Sequence, residues 1–220
     1  MTQQYGLIPD EWLVSYAAGA LSDERALLVA THVAYHPSLK ARVADAEAIG
    51  GALLEAQDAT SNLDMSFDDL MARIDMPELD AEDEATPILT SDDDLPTPLR
   101  SYLDKPLDGL KWRMMGPGMY QHKLSSGPDG EKLWLLRARG GTEMPLHDHT
   151  GLEMTLVLRG SYHVGDKRFG PGLLELADKD VTNHQPMIDE GEDCICLVVT
   201  DAPIRLHSFI GRMIQPFIGL

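Results

Sequence analysis

Residues 141–160 read GTEMPLHDHTGLEMTLVLRG. His147 and His149 are two apart, so on an extended strand both imidazoles leave the same face. A step containing Gly151 follows, and Glu153 opens an apolar run that ends at Gly160. If that run folds back on the first strand, Glu153 comes beside the two histidines. Downstream, His184 in TNHQPM, after the Pro171-Gly172 turn, supplies a fourth group. Three imidazoles and one carboxylate suit a borderline divalent ion such as zinc, iron, manganese, nickel or cobalt. A single histidine is usually structural, whereas H-x-H with a spaced Glu is uncommon by chance.

Around this stretch, short apolar runs alternate with Gly, Pro and Asp turns: Leu110–Met115, Leu133–Arg139, Met154–Leu158, Leu173–Ala177, Cys194–Thr200 and Ile204–Phe209. Regular short strands of this kind predict an antiparallel sandwich or barrel over residues 99–220. Upstream the texture changes. Residues 55–94 hold 14 Asp or Glu against the single base Arg73, which places −13 of the chain's −18 formal charge there. Pro77, Pro87, Pro96 and Pro98 fall in the same region. Like charges repel and proline breaks helices, so residues 77–98 read as an extended acidic linker.

Residues 1–76 have helical spacing. Pro9, Asp10 and Glu11 suit a helix start, Trp12, Leu13 and Tyr16 share a face, and Gly19 ends the element. Ser22 is a candidate N-cap for a second helix through Leu27, Leu28, Thr31, His32 and Tyr35. Ser38 to Leu54 forms a third, and Ser66 caps a fourth over Phe67–Ile74. The core of such a bundle is small, and a metal or a partner often supports one of this size. His32 and His36 lie one turn apart, the spacing used to hold an ion from a helix. Two ligands fall short of the four of a structural zinc site, and the residues alone favour packing for His32 and a helix end for His36.

The whole chain has 220 residues, 43% hydrophobic and 25% charged, a soluble globular composition. Its acidity argues against direct nucleic-acid binding. The two cysteines, Cys194 and Cys196, make no disulfide framework. No apolar run reaches the length of a membrane span, and the N-terminus lacks a signal-peptide pattern. The expected compartment is the cytoplasm. No Ser-His-Asp order, P-loop or dinucleotide fingerprint is present.

The central stretch resembles the first cupin motif, G-x5-H-x-H-x3-E-x6-G, at Gly141, His147, His149, Glu153 and Gly160. The second cupin motif fits less closely: Pro171-Gly172 matches its turn, while His184 comes later than usual. Together with SYAAGALS and VATHV in the helical part and DCICLVVTDAP in the barrel, the chain resembles the ChrR-type anti-sigma factors over nearly its whole length. The resemblance implies a multidomain α + β chain, a helical bundle followed by a cupin β-barrel (double-stranded β-helix). It implies that the helical part sequesters an extracytoplasmic-function sigma factor. It also implies that His147, His149, Glu153 and His184 hold a divalent metal, zinc foremost, in a cupin that responds to singlet oxygen or peroxide. One departure stands out. The family's helical zinc motif is H-x3-C-x2-C with a further upstream His. Here His32 matches, His36 and Leu39 replace the two Cys, and the upstream position falls near Leu7. The expectation is a degenerate N-terminal site, His32 and His36, without tight zinc, its pocket filled by Leu39 and Leu7.

Cys194 and Cys196 share one strand face; they are either buried apolar residues or a redox pair. His122, His163 and His207 read as surface or packing residues, with His163 the one that could approach the metal. Met114, Met115, Met119, Met144 and Met154 read as core filling, metal ligation or oxidant scavenging being the alternatives. The rival function is a metal-dependent cupin enzyme of dioxygenase or isomerase type. A metal-dependent binding module without catalysis, and a homo-oligomer, both stay open on the sequence.

Overall fold

A computed structural model describes residues 5–57, 66–74 and 95–208. Residues 77–94 of the expected linker, and the last residue of the Ile204–Phe209 run, lie outside them. Four helices follow the sequence signals closely: α1 Asp10–Ala17, α2 Asp23–Tyr35, α3 Pro37–Glu55 and α4 Phe67–Ile74. A short α5, Thr97–Tyr102, corrects the expected linker of residues 77–98 at its end: Leu95 is buried in the core and α5 begins within the stretch. Gly19, at φ +64°, turns the chain out of α1. The Ser22 hydroxyl accepts the Arg25 N–H at 3.3 Å, and the Ser66 hydroxyl accepts the Asp69 N–H at 3.1 Å. Pro37 opens α3, where its missing N–H costs nothing.

Eleven antiparallel strands follow among the described residues: β1 Arg113–Gly116, β2 Met119–Ser126, β3 Lys132–Ala138, β4 His147–Asp148, β5 Glu153–Arg159, β6 Tyr162–Val164, β7 Lys167–Phe169, β8 Leu174–Ala177, β9 Met187–Ile188, β10 Cys194–Thr200 and β11 Arg205–Leu206. The main sheet runs β1-β2-β3-β10-β5-β8, with β7-β6-β9 and β11-β4 as smaller sheets. The middle strands read as unbroken apolar runs because both their faces are buried. On β10, Ile195, Leu197 and Val199 join one core, while Cys194, Cys196 and Val198 join another. On β3, Leu133 and Leu135 fall on the first side, Trp134 and Ala138 on the second.

The first core is shared with the helices. Ile8, Leu13, Leu28, Val29, Leu39 and Val43 pack in one continuous cluster with Leu99, Leu103 and Leu107 and with the outward residues of β3, β5 and β10. The second core lines the lumen. Polar contacts tie the helices to the barrel at both ends of α2. Ser125 Oγ donates to Glu24 Oε1 at 3.0 Å, and Arg25 Nε pairs with Glu131 at 2.5 Å. At the other end His36 Nε2 donates to the Gly172 carbonyl at 2.7 Å, and the Leu174 N–H donates to the Gly6 carbonyl at 2.9 Å. Gly172 sits at φ +83° against the Tyr35 ring, where an added Cβ would lie 3.0 Å from Tyr35 Cγ. Gly160 closes β5 at φ +67°; a Cβ there would meet the Asp193 carbonyl oxygen at 2.5 Å, so no side chain fits.

Candidate metal centre

An isolated antiparallel bridge builds the centre. The His147 N–H donates to the His184 carbonyl at 3.1 Å, and the His184 N–H returns to the His147 carbonyl at 2.8 Å. Directly opposed residues of an antiparallel pair carry their side chains on one face. His149, two residues on from His147, adds the third imidazole. Asp148 secures the bridge: its Oδ1 accepts the Asn183 N–H at 2.9 Å, and its Oδ2 meets His207 Nε2 at 2.9 Å. The Asn183 N–H is the main reason that the Asp148 carboxyl lies below the usual carboxylate range.

All three histidines are buried, and one nitrogen from each lies within 4.8 Å of the others. His149 Nε2 and His184 Nδ1 are 3.0 Å apart, and His184 Nδ1 and His147 Nε2 are 3.2 Å apart. Two nitrogens bound to one tetrahedral zinc at their ordinary lengths stand about 3.3 Å apart. The trio therefore has the spacing of a metal ligand set. Its outer hydrogen bonds fit as well. His147 Nδ1 donates to the Pro145 carbonyl at 2.8 Å, leaving Nε2 free to bind an ion. His184 Nε2 donates to Glu175 Oε1 at 3.2 Å, leaving Nδ1. Burial lowers the pKa of His147, against the pull of the Pro145 carbonyl, and takes that of His149 to about 4 with help from its neighbours His147 and His184. Both are neutral at physiological pH, the form that binds metal.

Glu153 faces the same lumen from the start of β5, with Thr155 Oγ1 donating to its Oε1 at 3.2 Å. Burial raises its pKa to about 7, while His184 pulls it back. It is not one of the compact trio. Sequence reasoning missed Glu175. Its Oε2 accepts the Tyr162 hydroxyl at 2.7 Å while its Oε1 holds His184. The signal was present: Leu174 and Leu176 on either side belong to the outer core, so alternation sends Glu175 inward.

The other expected residues sort as follows. Cys194 and Cys196 are free and buried, their Sγ atoms 3.6 Å apart on the lumen wall. Contact with Cys194, then burial, raises the Cys196 thiol well above its ordinary range, which disfavours the reactive thiolate. His163 pairs with Asp189 at 3.0 Å, and His122 donates to the Lys111 carbonyl at 3.0 Å. Met115, Met119 and Met144 line the lumen, while Met154 joins the outer core. In the helical part His32 is fully buried, its Nε2 accepting the Ile8 N–H at 3.3 Å. Leu39 is fully buried and Leu7 packs against the same core. His36 lies edge-on to His32 with ring centroids 4.9 Å apart, and it spends its Nε2 on Gly172. Among the described residues, no helix is long and apolar enough to cross a membrane.

Comparison with known proteins supports the reading of both halves. Residues 106–203 match the family model of the ChrR cupin-like domain. Over 212 residues the chain is 37% identical to the anti-sigma-E factor ChrR of Cereibacter sphaeroides, covering 96% of each chain. A crystal structure of Rhodobacter sphaeroides SigE in complex with the anti-sigma ChrR matches at 34% identity and a TM-score of 0.75, covering 90% of this chain and 98% of that one. The architecture is thus helices followed by a cupin-like barrel, as the motifs predicted.

Proposed function

The chain belongs to the ChrR family of anti-sigma factors, and on that premise we propose that it sequesters an extracytoplasmic-function sigma factor in the cytoplasm through its helical part. The observation that carries this is the similarity to an anti-sigma factor along 96% of both chains. The division of labour we assign is residues 1–76 for the sigma factor, 77–94 as tether and 95–220 as sensor. Exposed apolar side chains mark the gripping surface. Ile49 and Leu53 on α3 are each 64% exposed, one turn apart, and Phe67 on α4 is 73% exposed beside Leu70 and Met71. Exposed apolar groups that recur on helix faces mark partner surfaces.

In the sensor, His147, His149 and His184 would hold a divalent ion, with Glu153 as the fourth ligand. Three nitrogens at tetrahedral spacing, with a carboxylate facing the same lumen, favour zinc. When bound, the ion supplies a Lewis-acid site for an oxygen-bearing oxidant or ligand. Oxidative stress, as singlet oxygen or peroxide, is the signal we assign. Residues 172–175 supply a route outward. Glu175 holds His184, while Leu174 and Gly172 bond to Gly6 and His36 of the helical part. A change at the imidazoles can thus reach α2 through one short segment.

The test is affinity capture from native cytoplasm with the metal-loaded full chain as bait. A stoichiometric extracytoplasmic-function sigma factor is expected, with the Ile49→Asp/Leu53→Asp variant retaining much less. Absence of any sigma factor from a folded bait would overturn the proposal. Peroxide should release the captured factor from the wild-type chain but not from His147→Ala.

A further inference from the structure

The lumen beside the imidazole trio is a cavity of about 310 Å³. That is about ten water molecules' worth of space and the low end of small-molecule pockets. Its lining combines apolar residues, among them Met115, Trp134, Leu136, Ile188 and Val198, with the polar groups His147, His184, Glu153, Glu175 and Tyr162. Among the described residues its lining contains two carboxyl groups and no Lys or Arg. Of the cationic residues adjacent in sequence to the lining, Arg137 pairs with Asp193 at 2.7 Å, Arg139 lies over the Tyr120 ring at 5.6 Å, and Arg205 acts on Asp148.

These facts select a ligand by charge and shape. With a divalent ion on the imidazoles, Glu153 and Glu175 already balance its charge, so an anion would leave an uncompensated negative charge in the cavity. An organic cation would face the ion that the imidazoles hold. A strongly polar neutral molecule such as a sugar would leave its hydroxyls against Met115, Leu136 and Val198 without partners. We propose that the lumen is a binding site for a neutral, mostly apolar oxygenate of about ten heavy atoms. Its single carbonyl or hydroxyl would face the imidazole end, and its hydrocarbon body would lie against Trp134. This inference rests on the sensor reading above and names the ligand class of that site.

Trp134 lines the cavity and reports on it directly. The full chain, zinc-loaded and metal-free, is titrated with two probes of nearly one shape, cyclohexyl methyl ketone and cyclohexanecarboxylate at pH 8. Trp fluorescence and calorimetry read the binding. The ketone should bind saturably, and the carboxylate at least about tenfold more weakly, a difference of about 1.4 kcal/mol. The zinc-loaded protein should bind the ketone more tightly than the metal-free one. The cavity-filling variant Val198→Phe should lose the ketone while keeping its zinc. Methyl NMR of the wild-type chain provides a second readout that needs no variant: the ketone should shift the Met115, Met119 and Met144 signals and leave exposed Met114 unmoved. Equal affinity for the two probes, or no lumen shifts with the ketone in excess, would overturn the proposal. Zinc content is measured in the same samples, so failure of the metal centre registers separately from failure of the lumen to take the ketone.

Discussion

Replacing Glu175 should weaken metal binding although Glu175 is not in the imidazole trio. Its Oε1 accepts the His184 Nε2 proton at 3.2 Å, and its Oε2 is fixed by the Tyr162 hydroxyl at 2.7 Å. This hydrogen bond sets the His184 tautomer and aims Nδ1 at the other two nitrogens. Loss of such an outer partner ordinarily costs 10–100-fold in metal affinity, about 1.4–2.7 kcal/mol. The His184 contact is at the long end for a hydrogen bond, so the tenfold side applies to Glu175→Leu. That variant also strands the buried Tyr162 hydroxyl, which should lower stability by about 1–3 kcal/mol. Glu175→Gln keeps an acceptor of the same shape and should fall between Leu and wild type in both respects. Competition for zinc against a chromophoric chelator reads the affinity, and denaturant unfolding of the metal-free chain reads the stability. A folded Glu175→Leu protein with wild-type zinc affinity would refute the reasoning.

Three further outcomes follow from the packing. Burial, then the neighbouring His36, lowers the His32 pKa to about 4, with the Gly172 carbonyl opposing. The folded state thus prefers neutral His32. Stability is full above the unfolded value of about 6.5 and falls as pH drops from there toward 4, by on the order of 3 kcal/mol. Unfolding of the full chain at pH 7 and 4.5 should show a smaller acid loss in His32→Gln than in wild type; an equal loss would contradict this. Leu39→Ala should cost about 2–5 kcal/mol, because Leu39 is fully enclosed in the core shared by helices and sheet; a melting temperature unchanged from wild type would show that core to be loose. Gly160→Ala combines a left-handed φ with a Cβ at 2.5 Å from the Asp193 carbonyl oxygen, and should destabilise the barrel by at least about 1–3 kcal/mol in denaturant unfolding.

Much of the fold was legible because its signals are local. Ser22, Pro37 and Ser66 mark helix starts by chemistry that acts within a turn, and α2, α3 and α4 begin where those residues place them. Strands β3, β5 and β10 were visible as apolar runs because both faces are covered. Strand β2, Met119–Ser126, was not, since its tail is polar and partly exposed. The two-residue strands β4, β9 and β11 are too short to carry a pattern, and only their partners define them. The charge map separated an acidic middle from its flanks, yet nothing local says that Leu13, Leu28 and Leu39 share one core with the outward residues of β10. The trio of His147, His149 and His184 came from spacing and motif resemblance. Glu175 did not, because a single Glu in a strand is common and its meaning depends on which face its neighbours occupy. His36 kept its position on the helix but acquired a role, the bond to Gly172, that no sequence spacing encodes.

The most direct test of the central claim is run-off transcription from a promoter that depends on the captured sigma factor. Purified full chain, loaded with metal, is added to that factor before core RNA polymerase. The account predicts that about one equivalent abolishes the transcript and that the exposed-face variant Ile49→Asp/Leu53→Asp restores it. An undiminished transcript at several-fold excess of folded, metal-loaded chain would contradict it.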